Sequence, residues 1–246
     1  MPKSSILALM DDMARYIDIH THRQTEQPGA IAIRNVFARD SFRQEGVSPP
    51  FTGGDLFSVG VHPWHADDIE MDIALDMIRV MAQLPACAAI GEIGLDRACD
   101  VDFDLQREVF VAQCRLACES GLPVIVHSAR THADILQVHK SNVFPPIWIV
   151  HGFRGKLQTA GQLLRNGARL SFGEALLRAP APLREAFLAV PDDRLYLETD
   201  EAGCSIMDVY AAAAGLREVT VEQLREQLYA NFIRDFGITH EDTPMA

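Results

Sequence analysis

The chain has 246 residues and a net charge of −12, and 48% of its residues are hydrophobic. That length suits either one large α/β barrel or two small domains, and the apolar fraction excludes an intrinsically disordered chain. The apolar runs fall short of the roughly 20 residues that span a bilayer, so we expect no membrane partner. The acidic balance argues against a broad nucleic-acid-binding surface, because such surfaces depend on Lys and Arg.

The cysteines and the N-terminal sequence indicate a compartment. The chain has five cysteines, an odd number without the spacing of a zinc ribbon, which favours a reducing environment. The segment from Met1 to Asp12 is mixed in character and lacks the apolar stretch of a signal peptide. We therefore expect a cytoplasmic protein.

Eight apolar runs predict β-strands, several of them almost continuously apolar, as in a parallel sheet covered on both faces. The predicted strands are 16–20, 30–37, 56–61, 86–93, 123–127, 147–151, 168–172 and 194–199. Amphipathic segments separate most of them, as where Leu105, Val109 and Ala112 share one helical face. The alternation predicts a (β/α)8 barrel, one domain over residues 1–246, with its site at the carboxyl ends of the strands.

Two segments of this pattern stand out. A closing helix is predicted over about 220–236, because Thr220 and Gln223 match a capping box and Gly237 matches a helix stop. The link at 38–55 contains Pro49-Pro50 and Gly53-Gly54 and leaves little room for a full helix.

Histidines and carboxylates follow the predicted strands. In Asp18-Ile19-His20-Thr21-His22, strand alternation projects both imidazoles to the same side. The others each follow a separate apolar run: His62, Glu92, His127, His151 and Asp200. A barrel brings the carboxyl ends of its strands around one mouth, so we expect these side chains to converge.

Imidazoles and carboxylates suit two divalent metal ions, either Mg, Mn or Zn. Glu92 is placed to bridge the two ions. His20, His22 and Asp200 could complete one ion, and His127 and His151 the other. Two such ions can activate a water molecule, and Asp200 could take its proton.

An ordered set of motifs resembles the TatD family of metal-dependent hydrolases, within the amidohydrolase-like barrel superfamily. The motifs are Ile17-Asp18-Ile19-His20-Thr21-His22, Gly60-Val61-His62-Pro63, Gly91-Glu92-Ile93-Gly94-Leu95-Asp96, Val126-His127-Ser128, His151-Gly152-Phe153 with Gly155, and Leu197-Glu198-Thr199-Asp200. They span residues 17 to 200, and Asn231 and Phe236 are similar to the family's closing helix.

The resemblance implies a (β/α)8 barrel that binds two divalent metals and hydrolyses phosphodiesters of DNA, often as a 3′-to-5′ exonuclease. The substrate would be nucleic acid, single-stranded DNA or a 3′ end, and we expect a monomer. Carried over, the metal ligands would be His20, His22, Glu92, His127, His151 and Asp200. His62 would lie on the substrate side, contacting the scissile phosphate or a leaving oxygen, so that the catalytic residues would be Asp200, Glu92 and His62.

The chain departs from the family pattern in its loops. Arg97 stands where the family often has an aromatic residue, and Arg154 where it usually has Ser or Thr. The stretch between His22 and His62 is short enough to lack a helix, and after Asp200 the chain turns quickly into a helix near Ile206. These differences leave the ligand positions intact and leave the substrate open.

Several neighbours of the ligands have two interpretations. Arg130 and Arg154 follow the fifth and sixth strands and are candidates for phosphate contacts, with solvated loop charge as the alternative. We expect Asp18 to orient a ligand histidine.

Trp64 could stack on a base, although packing of its loop is the favoured role. The remaining two carboxylates, Asp96 and Glu198, are predicted to be structural, with Asp96 alternatively lying behind a ligand.

Two other functions stay open at this stage. The same dinuclear barrel could hydrolyse a small amide, lactone or phosphoester, which the acidic composition and altered loops would allow. A non-catalytic barrel is the third hypothesis, and the complete ligand set argues against it.

Overall fold

The computed structural model describes residues 15–23, 29–38, 56–68 and 70–237. These residues form one sheet of eight parallel strands in sequence order, which confirms the predicted (β/α)8 architecture. The strands are β1 (Tyr16–Thr21), β2 (Ala30–Phe37), β3 (Leu56–Gly60), β4 (Cys87–Asp96), β5 (Val124–Ala129), β6 (Trp148–Val150), β7 (Arg169–Phe172) and β8 (Leu195–Leu197). The fourth strand runs three residues further than the sequence pattern predicted.

The sheet closes on itself where its first and last strands meet. A parallel bridge joins Thr21 to Asp200. The amide of Asp200 donates to the carbonyl of His20 at 2.9 Å, and the amide of His22 donates to the carbonyl of Asp200 at 3.2 Å. Closure therefore happens at the residues that the sequence singles out as ligands.

Seven α-helices cover the outside of the sheet in the described part of the chain. They are α1 (Met71–Met81), α2 (Phe103–Ser120), α3 (His132–Ser141), α4 (Leu157–Arg165), α5 (Ala181–Leu188), α6 (Ile206–Arg217) and α7 (Val221–Phe236). The predicted capping box of α7 is present, with Thr220 and Gln223 bonded reciprocally and Gly237 in the left-handed conformation at a φ of 63°. None of the helices in these described ranges is both long and apolar enough to cross a membrane.

Strand alternation divides the core into two clusters. Val124 and Val126 belong to the large cluster shared with the helices, whereas Ile125 between them belongs to a smaller one. The smaller cluster also contains Ile33, Ile149 and Phe232 of α7, so it fills the barrel and is covered from below by that helix. The packed interior leaves the carboxyl ends of the strands as the place for a site.

Two predictions fall outside the described residues. They are the irregular link at 38–55, of which only Ala38 is described, and the missing helix between His22 and His62.

Candidate metal centre

Glu92 lies at the centre of the mouth and contacts all five predicted histidines. Its Oε1 lies 2.7 Å from His127 Nδ1, 2.6 Å from His151 Nε2 and 3.3 Å from His62 Nε2. Its Oε2 lies 3.3 Å from His20 Nε2 and 3.4 Å from His22 Nε2. The two carboxylate oxygens thus face two separate sets of imidazoles.

Asp200 completes the set on the side of β1. Its Oδ1 lies 3.7 Å from His20 Nε2 and 3.5 Å from His22 Nε2. Its backbone has a φ of 53°, the left-handed region that non-glycine residues rarely adopt. The residue is held there by its backbone bonds to His20 and His22, so barrel closure itself positions this carboxylate.

Close approach between β4 and β5 brings Glu92 against His127. A Cβ added at Gly94, where φ is 149°, would collide with the carbonyl oxygen of His127. Glycine is therefore required at this position for the two strands to lie so near one another. The amide of Glu92 is fixed on its other side by Asn35 Oδ1, at 2.7 Å.

Two further carboxylates stand behind the histidines. Asp96 Oδ2 lies 3.1 Å from His127 Nε2. Glu198 Oε1 lies 3.4 Å from His151 Nδ1 and accepts a bond from the amide of Gly152 at 2.6 Å. Each of these imidazoles therefore has Glu92 on one nitrogen and another carboxylate on the second, an arrangement that orients metal-binding histidines.

The electrostatics favour an ionised Glu92. Burial alone would raise the pKa of Glu92, but His151 and the hydrogen bonds from His127 and His151 hold it well below its usual value. Burial likewise disfavours a charged imidazole at His151, yet Glu92 and Glu198 raise the pKa of His151 well above its ordinary range. The carboxylates at the mouth, Glu92 and Glu198 among them, therefore give the site a negative charge that the imidazoles partly offset when they are protonated.

His62 has a tautomer that distinguishes it from the other histidines. Its Nδ1 accepts a hydrogen bond from the amide of Trp64 at 3.2 Å, and burial lowers the pKa of His62. A neutral His62 therefore carries its proton on Nε2, the atom that faces Glu92. An Nε2–H group can donate to a substrate oxygen, whereas a metal requires a free lone pair on that atom.

The residues fit a bound metal. Both ring nitrogens of His20 are buried and make no hydrogen bond, although Nε2 faces two carboxylates. Three sets of side chains offer ligand atoms within 4.8 Å of one another: His20, His22 and Glu92; His62, Glu92 and His127; and His151, Glu198 and Asp200. Imidazole with carboxylate suits Zn and Mn, and the carboxylates also suit Mg.

The two predicted arginines occupy different surroundings. An open cavity of about 400 Å³ adjoins the mouth and is lined by Arg154 together with Glu174, Glu198, Asp200 and Glu201. Arg130 is exposed just beyond β5 and does not line this cavity. Arg97, at the family's aromatic position, pairs with Asp134 at 2.8 Å on α3 and lies over the ring of Phe103.

One expectation for the neighbouring carboxylates needs correction. The oxygens of Asp18 accept from the amide of Thr199 at 2.9 Å and from its hydroxyl at 2.6 Å, which ties β1 to β8. A hydrogen bond with the backbone of His20 also acts on the Asp18 carboxyl, against the burial that raises its pKa. For Glu198, the alternation with Thr199 predicts a structural role. The alternation is right, but its face is the one that looks into the barrel, beside His151. The sequence does carry a signal for this position. Glu198 lies two residues after Tyr196, whose side chain packs inside the barrel, so strand alternation places both side chains on the inner face.

Eight parallel strands in a barrel, with imidazoles and carboxylates gathered at their carboxyl ends, define the class of metal-dependent hydrolase barrels. Residues 53–237 match the family described as TatD related DNase, and the chain belongs to that family. The matched range begins after the motif of His20 and His22, and the fold supplies that motif by bringing β1 against Glu92.

Relatives and solved structures agree with this assignment. The uncharacterized metal-dependent hydrolase YcfH of Escherichia coli K12 is 32% identical over 199 residues, which is 74% of each chain. The 3′-5′ ssDNA/RNA exonuclease TatD of Pantoea ananatis is 28% identical over 204 residues, covering 74% of this chain and 77% of that one. The crystal structure of the TatD homologue YjjV from Escherichia coli K12 superposes with a TM-score of 0.76 at 26% identity, covering 92% of this chain and 99% of that one.

Proposed function

We propose that this protein is a metal-dependent phosphodiesterase that acts on nucleic acid, as a 3′-to-5′ exonuclease on single-stranded DNA. The observation that carries the proposal is the position of Glu92, whose two oxygens face separate imidazole sets. The relative from Pantoea ananatis, which bears the name 3′-5′ ssDNA/RNA exonuclease, supports the choice of substrate.

Two divalent ions are the proposed cofactors. His20, His22 and Asp200 would hold one ion, His127 and His151 would hold the other, and Glu92 would serve both. When bound, such a pair supplies an activated water and stabilises the attacking and leaving oxygens of a phosphodiester. The rest of the chemistry is assigned to side chains of the chain itself.

Asp200 is the proposed proton acceptor. Its side chain is 37% exposed, whereas that of Glu92 is 4% exposed, so water reaches only the former freely. His62 is the proposed donor to the scissile phosphate or the leaving oxygen, because its neutral tautomer presents Nε2–H to the site. Asp96 and Glu198 keep His127 and His151 oriented and do not touch the substrate.

Arg154 is the proposed phosphate contact, because it shares the cavity with Asp200. Arg130, exposed beyond β5, is proposed to contact a more distant part of the strand. We further propose that the protein is a monomer and that it works in the cytoplasm. The five free cysteines support the second of these proposals, because a reducing compartment keeps thiols unpaired.

The test is a substrate panel. Purified protein loaded in turn with Mg²⁺, Mn²⁺ or Zn²⁺ is assayed on 3′-labelled and 5′-labelled single-stranded DNA, on RNA and on small esters. Stepwise loss from the 3′ end is the expected result, and His127→Ala should abolish it. Val143→Ala, an exposed change two residues beyond the end of α3, is the matched control. Nuclease activity that survives in His127→Ala would show that the cleavage arises elsewhere.

A second candidate function is hydrolysis of a small amide, lactone or phosphoester. The observation that favours it is the lining of the cavity, where Glu174, Glu198, Asp200 and Glu201 outnumber Arg154. A polyanionic strand gains little from such a lining. Hydrolysis of small esters, while the oligonucleotides of the panel stay uncleaved, would establish this alternative. If no substrate is hydrolysed and elemental analysis finds no bound metal, the protein is a non-catalytic barrel.

A further inference from the structure

Trp64 is an exposed aromatic side chain whose ring is nevertheless fixed. It lies in the 3-10 turn Pro63–His65 that follows β3 and is 54% exposed. Its indole N–H donates to Asp96 Oδ2 at 2.6 Å, and Asp96 is itself only 2% exposed. The buried anchor therefore holds the indole in one orientation while more than half of the side chain stays exposed.

The fixed ring borders the metal centre. It meets the His62 ring edge-on at a centroid distance of 5.0 Å, and the His127 ring lies 6.3 Å away. Both histidines contact Glu92. Phe37 extends the aromatic border, with its centroid 6.2 Å from that of His62 and 5.5 Å from that of His22. One sector of the mouth is therefore aromatic, while the opposite sector carries the carboxylate-lined cavity.

We propose that Trp64 is a stacking platform for a nucleobase of the substrate strand, next to the phosphodiester that is cleaved. The inference rests on the proposed nuclease function and assigns one of its substrate contacts. A base has a flat π-face that stacks on tryptophan whatever its sequence, which suits an enzyme that removes successive nucleotides.

The charge of the chain supports a stacking contact. With a net charge of −12, the protein gains little affinity from phosphate neutralisation, the usual source of nucleic-acid binding. Stacking requires no positive charge, so it can hold a strand that the surface as a whole repels. Because Asp96 Oδ2 binds the indole and also lies 3.1 Å from His127 Nε2, a base on Trp64 is held in register with the centre.

The kinetic test compares 3′ ends with and without bases. Single-stranded oligonucleotides ending in ordinary nucleotides or in tetrahydrofuran abasic residues are digested by the metal-loaded enzyme, and the ratio of kcat/KM values is measured. Stacking is worth roughly 1–3 kcal/mol per base, so we expect the base-bearing end to be preferred about tenfold, mainly through KM. Trp64→Ala should abolish this preference.

Trp64→Phe is the matched variant, because it loses the hydrogen bond to Asp96 but keeps an aromatic face. It should retain part of the preference, because the aromatic face remains although its anchor is lost, whereas a purely structural role would make the two variants alike. Val143→Ala should keep the full preference. An unchanged preference in Trp64→Ala, or an equal loss in Trp64→Phe, would overturn the platform.

A binding measurement separates the platform from the nuclease function. The chain has two tryptophans, and since Trp148 is 1% exposed, quenching by an added ligand reports on Trp64. In metal-free protein, dAMP should quench the emission, and deoxyribose 5-phosphate at the same concentration should not. Quenching without any nuclease activity would overturn the proposed function but keep the platform, and nuclease activity without quenching would overturn the platform alone.

Discussion

The two ends of the barrel each hold a buried carboxylate surrounded by donors, but the donors differ in kind. At the carboxyl ends of the strands, Glu92 is surrounded by five imidazoles. At the opposite end, Asp235 of α7 accepts two bonds from Arg169, at 2.9 and 3.0 Å, and one from Tyr196, at 2.9 Å. Arg234 donates to both oxygens of Asp235, each at 2.9 Å.

The difference explains why one cluster is a candidate site and the other is structural. Asp235 is neutralised by permanent guanidinium charges of the chain, and its oxygens are fully bonded. Glu92 faces imidazoles, whose charge depends on protonation: Glu92 and Glu198 raise the pKa of His151 well above its ordinary value, whereas both nitrogens of His20 make no hydrogen bond. The imidazoles and carboxylates around Glu92 are groups that can bind a divalent cation once the imidazoles are deprotonated, whereas both oxygens of Asp235 are already bonded to side chains of the protein.

The largest expected effect comes from removing the charge of Glu92. Glu92→Gln keeps the shape of the side chain but loses the carboxylate that contacts all five imidazoles. Because metal stabilisation is worth several kcal/mol, hydrolysis should fall by about 10³-fold or more. The midpoint of thermal unfolding of the metal-free protein should fall less than in Asp235→Asn, because the imidazoles around Glu92 can release their protons when the carboxylate is lost, whereas guanidinium groups cannot. Differential scanning fluorimetry beside the activity assay measures this. A large drop in that midpoint would mean that Glu92 stabilises the fold in the way that Asp235 does.

Asp235→Asn should have the opposite profile. Removing one partner of a buried ion pair costs about 3–5 kcal/mol, because the remaining charges lose their compensation. In a protein of this size that lowers the unfolding midpoint by roughly 10 °C. Well below the transition, kcat should match that of the unaltered protein. Loss of kcat in fully folded protein would contradict the separation of the two ends.

Acidification should erase the difference between the unaltered protein and Asp235→Asn. Burial alone would raise the pKa of Asp235, but hydrogen bonds from Arg234 and Arg169 lower it below the ordinary value of 3.8. A depressed folded-state pKa gives stability that is present above the unfolded pKa and lost as the pH falls through the folded one.

The measurement is urea unfolding of both proteins from pH 7 down to pH 2.5. The gap in unfolding free energy between the two should be constant above about pH 5 and should close below about pH 4. Other carboxylates titrate in this range too, but they are common to both proteins and cancel in the difference. A gap that widens on acidification would contradict the assigned ion pairs.

The sequence predicted the cluster around Glu92, at the upper end of the barrel, better than the cluster around Asp235, at its lower end. His20, Glu92, His127 and His151 each end an apolar run, and parallel strands in a barrel bring their carboxyl ends together, so position along the chain implies proximity in space. The lower cluster has no such signal. Arg169 and Asp235 lie 66 residues apart on a strand start and a helix end, and only the packing of α7 brings them together.

Side-chain direction set the limit at the upper end. The motif placed Asp18, Asp96 and Glu198 near the ligands, but not the atoms that each would contact. Asp18 turns to Thr199, and Glu198 turns to His151. Asp200 has a left-handed backbone conformation. The alternation of side chains along β8 therefore does not predict the direction of the Asp200 side chain.

The smallest expected effect tests whether Glu198 acts through His151. Glu198→Gln keeps an oxygen that can accept from Gly152 and removes the charge that faces His151 Nδ1. Loss of a carboxylate behind a ligand histidine lowers metal affinity by about 10–100-fold. We expect this weakening in calorimetric titration with Mn²⁺, with a smaller fall in the unfolding midpoint of the metal-free protein than Asp235→Asn causes. Asp96→Asn is the matched variant for His127, and it should also alter Trp64, to which Asp96 is bonded. If Glu198→Gln binds Mn²⁺ as tightly as the unaltered protein, the carboxylates behind the histidines belong with Asp235 as structural groups, and Glu92 and its direct contacts define the whole centre.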